Sequence, residues 1–225
     1  MAPTNIGLIV PSSNTVMEED FHCRFERPVT VVTTRIFLED VTREAEETML
    51  AEDLPRALRT ISTAEPRVVV FGCTSAGSLG GIEHDTAIAR SIVAATGAAV
   101  VTVIGAVVNQ LKLARAKRVA VLTPYSAEIT QSVADCIAEA GFFVTQRTGM
   151  GIVSNCEIGR VTPEQIVDFV VREFRDLDAD SIFLSCTNWR AIEAREQLQQ
   201  RLGITVITSN QACIDEVRVK LPVRY

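Results

Sequence analysis

Val69-Val70-Phe71-Gly72-Cys73-Thr74 and Ile182-Phe183-Leu184-Ser185-Cys186-Thr187 share one plan: an apolar run, a small residue, then Cys-Thr. A second pair matches in the same way: Ile6-Gly7-Leu8-Ile9-Val10-Pro11 and Val119-Ala120-Val121-Leu122-Thr123-Pro124. The cysteines lie 113 positions apart (186 − 73), and so do the prolines (124 − 11). Two independent anchors with a single offset mark a diverged duplication.

Working outward, short apolar runs alternate with helical patterns. Ile6–Val10, Val29–Ile36, Val68–Phe71 and Ala99–Val103 read as strands of the first half. Val119–Leu122, Phe142–Thr145, Ser181–Leu184 and Thr205–Ile207 read as strands of the second. Near-continuous apolar strands imply burial on both faces, as in parallel sheets. A helix is expected over Arg43–Ser62, with Leu50, Leu54, Ala57, Leu58 and Ile61 as its apolar stripe. Another opens on Thr162-Pro163-Glu164-Gln165, a capping box with Pro at the first helical position. The pattern predicts an α/β fold of two pseudo-symmetric doubly wound parallel-sheet domains, with the active site in the cleft between them. The expected division is residues 1–110 for the Cys73 half and 111–208 for the Cys186 half, with the boundary near Gln110–Lys117. Residues 209–225 form a terminal helix able to pack back on the first half.

Composition narrows the function. With 47% hydrophobic and 22% charged residues, the 225-residue chain is an ordinary globular one with room for a sizeable core. A net charge of −6 without a basic stripe tells against nucleic acid and anionic membrane. No apolar run approaches the ~20 residues of a membrane helix. The N-terminus lacks a basic n-region and a cleavage site, so no signal peptide is read and a cytoplasmic setting with reduced thiols is expected. The six cysteines and two histidines have no zinc-site spacing, so no metal is expected.

Cys73 and Cys186 each sit where the chain leaves the carboxyl end of a buried strand, the edge at which open α/β sheets bind ligands. Thr74 and Ser75 follow one, Thr187 and Asn188 the other. Their hydroxyls and N–H groups can hold a carboxylate, and a helix N-terminus there would lower a thiol pKa. Two thiols facing across a cleft suit a reaction needing a nucleophile or base on one side of a carbon and an acid on the other. The competing reading is a pair of buried core cysteines; their matched positions favour function. Pro11-Ser12-Ser13-Asn14-Thr15, Tyr125 and the loop Val153-Ser154-Asn155-Cys156 bring further polar groups to this edge. Trp189 and Arg190 either shape the pocket or hold a carboxylate, or simply start a helix. Gly77-Ser78-Leu79-Gly80-Gly81 lacks phosphate-loop spacing. Glu44–Glu47 reads as a solvated helix face, His84 as a surface residue, and Cys23, Cys136 and Cys213 as packing.

Taken in order, Gly7 to Thr15, Cys73-Thr74-Ser75, Thr123-Pro124-Tyr125, Asn155, Ser185-Cys186-Thr187 and Ser209-Asn210-Gln211-Ala212 resemble the aspartate/glutamate racemase superfamily. Within it they are most similar to the maleate cis-trans isomerase and arylmalonate decarboxylase group. The resemblance implies a cofactor-free isomerase of small dicarboxylic acids and a homo-oligomer, a dimer or larger. It gives Cys73 as nucleophile and Cys186 as acid/base partner. Asn14, Tyr125 and Asn155, with Thr74, Ser75, Thr187 and Asn188, would bind the substrate carboxylates. The alternatives are a two-cysteine racemase of the aspartate, glutamate or hydantoin type, an arylmalonate-type decarboxylase, and a non-catalytic binder of small acids.

Overall fold

The computed structural model describes residues 4–175 and 178–221. Two four-stranded, all-parallel sheets make up its frame. The first is ordered β2-β1-β3-β4 (Val29–Ile36, Thr4–Pro11, Val68–Phe71, Ala99–Thr102). The second is ordered β6-β5-β7-β8 (Phe143–Gly149, Arg118–Thr123, Ser181–Leu184, Thr205–Thr208). The strand order repeats, with Ile6 paired to Val68 in one sheet and Val119 to Ser181 in the other. All eight expected strands are present, and the two-domain α/β fold is as the duplication requires.

Burial follows position in the sheet. Central strands β1, β3, β5 and β7 are almost wholly buried, because helices cover both faces. β2 and β6 are half-exposed edge strands, and their Thr30, Thr33, Gln146 and Arg147 fit that place.

The helices are α1 (Met17–His22), α2 (Arg43–Thr48), α3 (Leu54–Ser62), α4 (Thr74–Ser78), α5 (Gly81–Thr96) and α6 (Val103–Leu113), then α7 (Ala127–Glu139), α8 (Asn155–Arg160), α9 (Pro163–Glu173), α10 (Ala191–Leu202) and α11 (Ser209–Lys220). Both fourth strands end in a threonine that caps the next helix: Thr102 Oγ1 accepts from Gly105 N and Thr208 Oγ1 from Gln211 N. The expected capping box at Thr162 and Gln165 is formed.

One expected element is broken. The helix over residues 43–62 widens into a π turn at Met49–Asp53 between α2 and α3. Pro55 has no N–H, and its ring would strike the carbonyl of residue 51 in a regular helix, so the ladder must widen there.

The last helix of each half lies against the other half. α11 packs on α6, β3 and β4, and α6 packs on β8. One continuous apolar core therefore runs through both halves. Among the described residues no helix is long and apolar enough to cross a membrane.

Gly149 closes β6 beneath the loop that carries Tyr125. A Cβ there would strike the Tyr125 carbonyl oxygen and come within 2.6 Å of Thr130 Oγ1. A backbone carbonyl cannot swing aside as a side chain can. Gly149→Ala is expected to cost about 1–3 kcal/mol, read as a lower urea midpoint at unchanged slope.

Candidate active site

The carboxyl ends of β1, β3, β5 and β7 converge, and every sequence-predicted site residue lies there. Asn14, Cys73, Thr74, Ser75, Tyr125, Asn155, Cys186, Thr187 and Asn188 are all 3% exposed or less. Cys73 has extended backbone as the N-cap of α4, which begins at Thr74. Cys186 begins a turn before α10, and Asn188 N donates to its sulfur at 3.2 Å.

Hydrogen bonds join the halves through this group. Asn14 Nδ2 donates to Thr187 Oγ1 (3.0 Å), which donates to the Gly72 carbonyl (3.0 Å). Asn14 Oδ1 accepts from Val16 N and Met17 N, starting α1. Asn188 Oδ1 accepts from Thr15 N at 3.0 Å, and Asn188 Nδ2 donates to the Asn155 carbonyl at 2.7 Å. Asn155 Nδ2 donates to Ser13 Oγ at 2.7 Å. Ser209 Oγ accepts from Cys186 N (3.2 Å) and shares a hydrogen bond with Thr74 Oγ1 (3.1 Å). Ser209 was a motif residue in the sequence but not a site candidate. Its place at the start of α11, on the far side of the duplication, hid its contact with Thr74.

Each thiol has its own companions. Cys73 Sγ lies 3.7 Å from Ser75 Oγ and 4.0 Å from Glu46 Oε1. Cys186 has the Tyr125 hydroxyl near enough to favour its ionised form. Burial, rather than a helix dipole, governs their acidity. The Cys73 thiol is pushed up first by burial and then by Glu46 when that carboxyl is ionised; the Ala76 N–H and Ser75 oppose this, and Cys186 adds only a small push. Cys186 is pushed up to about 12 by burial, partly offset by Tyr125 and Asn188 N–H. The lowering expected from a helix N-terminus does not prevail, since α4 is only five residues long and desolvation is complete. Tyr125 is also raised, first by burial and then by Cys186.

Three other sequence expectations need correction. Glu46, read as part of a solvated face, is fully buried beside Cys73. Cys23, read as packing, is exposed, whereas Cys136 and Cys213 are buried. Arg190 points to solvent and pairs with Glu193 Oε1 at 2.7 Å, so it holds nothing in the site. Trp189 is a buried wall, edge-on to Phe169 with ring centroids 6.1 Å apart.

The site is closed. Val41 N donates to the Val153 carbonyl (2.8 Å) and Asn155 N to the Glu39 carbonyl (3.0 Å), so one segment from each half forms a clasp over it. Among the described residues no three His, Cys, Asp or Glu side chains gather as a metal site would require.

Two α/β sheets that each deliver a cysteine to one shared, buried polar centre define a pseudo-symmetric, paired-thiol α/β protein. The chain belongs to the arylmalonate decarboxylase family, whose profile matches residues 6–221. It is 28% identical to a maleate isomerase of Geobacillus stearothermophilus, over 94% of this chain and 89% of that protein. It is equally 28% identical to the arylmalonate decarboxylase of Bordetella bronchiseptica, over 92% and 86%. Its fold superposes, with a TM-score of 0.88 and 25% identity over 98% of this chain and 93% of the other, on a cysteine-to-serine mutant of the Nocardia farcinica maleate cis-trans isomerase with a covalently bound succinylcysteine intermediate. These relatives are enzymes.

Proposed function

We propose that this protein is a cofactor-independent cis-trans isomerase that converts maleate, or a related small dicarboxylate, to fumarate through a covalent adduct on Cys73. The observation that carries this reading is the pair of thiols, one from each half, buried in a single centre lined with hydrogen-bond donors. Further support comes from the maleate isomerases among the relatives and from the succinylcysteine of the Nocardia enzyme.

Cys73, as thiolate, adds to one alkene carbon. The S–C bond forms, the π pair moves to the neighbouring carbon, and the Cys186 thiol protonates that carbon. The former double bond is now single and rotates. Cys186 takes the proton back, the π bond re-forms and the Cys73 thiolate leaves, giving fumarate. The substrate carboxylates are held by the second N–H of the Asn14 amide, by Asn155 and Tyr125, and by the groups at Thr74–Ser75 and Thr187–Asn188. Donors fixed in place without water stabilise the charge that builds up on addition. The clasp at Val41 and Val153 opens to admit the acid.

Incubation with maleate in D2O under reducing conditions, followed by proton NMR of the alkene region, tests the assignment. Fumarate is the expected product. Its absence, with deuterium entering the α position of an amino acid or hydantoin instead, would replace isomerisation by racemisation.

A further inference from the structure

Of the three carboxylates on α2, Glu44 and Glu47 are exposed and Glu46 is fully buried. Glu46 lies three residues before Met49 and eight before Leu54, both buried, so it shares their inward face. An ionised carboxylate in such a place needs a cation; without one it keeps its proton. Arg43 on the same helix is the cation that acts on Glu46, but its guanidinium is held by the Leu79 carbonyl, Ser132, Glu128 and Glu47. What faces Glu46 from the other elements is neutral or anionic. Cys73 Sγ and Ser75 are presented at the start of α4. Tyr125 and Cys186 of the second half lie within electrostatic reach. Oε2 of Glu46 is buried and has no hydrogen-bond partner.

We propose that Glu46 is a further member of the active site, working as a neutral carboxylic acid that donates a hydrogen bond to the Cys73 sulfur when that thiol is ionised. The inference rests on Cys73 being the nucleophile. In the resting pair the thiol is placed to donate to Oε1, 4.0 Å away. In the minority of molecules whose thiol has given its proton to solvent, the direction reverses: the O–H of Glu46 turns to the sulfur, and this small fraction is the one that reacts. Burial, opposed by the nearby Ser75 hydroxyl and by Arg43, raises the Glu46 pKa to about 8, so the acid form dominates at neutral pH. The ionised form would repel both the thiolate and a dicarboxylate substrate.

Alkylation of Cys73 by iodoacetamide, measured by peptide mass spectrometry in the whole protein from pH 6 to 10, tests this. It needs no substrate, so it stands apart from whether maleate is turned over. The logarithm of the rate should climb to about pH 8 and then level, because an ionised Glu46 opposes the thiolate. In Glu46→Gln it should keep climbing, and at pH 10 exceed the wild type by roughly tenfold or more. Glu46→Leu, with no donor, should react at pH 7 roughly tenfold more slowly than Glu46→Gln. A wild-type profile without a bend near pH 8 overturns the proposal, and that measurement needs no variant. A bend retained in Glu46→Gln, or equal rates for the Gln and Leu variants at pH 7, overturns it as well.

Discussion

Cys73→Ala is expected to lower fumarate formation from maleate by on the order of 10⁴-fold or more. The proposed route has no other atom able to form the covalent bond that frees the alkene to rotate. Donors that merely hold the two carboxylates would favour the cis acid without touching its π bond. Cys73→Ser should do nearly as badly, since an alcohol ionises far less readily than a thiol. Activity within tenfold of wild type in either variant, with the urea midpoint unchanged, would remove Cys73 from the nucleophile's role.

Cys186→Ser is expected to fail differently. Turnover should fall by about 10²–10⁴-fold, the usual contribution of a positioned acid or base. The first half of the reaction leaves a trace, however. Once formed, the succinyl adduct needs a base to lose its proton before Cys73 can leave, and a serine hydroxyl serves poorly. Mass spectrometry of the variant after incubation with maleate should therefore find one dicarboxylic acid added to the peptide containing Cys73. Cys73→Ala should show no such gain. An adduct on the Cys186 peptide in Cys73→Ala would exchange the roles of the two thiols.

Much of this arrangement was legible because the duplication left two landmarks, Pro11 with Pro124 and Cys73 with Cys186, at one offset. Each pair ends a central strand of its sheet, so finding the strands also found the site edge. Asn14 and Tyr125 came with the prolines, and Thr187 and Asn188 with the second cysteine. Glu46 escaped because a run of glutamates on a short helix usually faces water. Its spacing to Met49 and Leu54 was the available signal, and charge outweighed it. Cys23 escaped for a simpler reason: directly after α1 it falls on the solvent side of the chain, between the buried Phe21 and Phe25. The thiol acidities were misjudged because the length of α4 and the depth of burial are products of folding, invisible in a Cys-Thr motif.

The exchange of terminal helices has a consequence for how the molecule comes into being. As the chain emerges from the ribosome, the first sheet is finished long before α11, the segment that covers part of β3 and β4, has been made. The early half must wait with an apolar face uncovered until the last residues arrive. Once they do, loosening either half strips a helix from the other. Two copies that began as a duplicated unit have thus become mutually dependent, and a break between them would yield two fragments, each missing part of its cover.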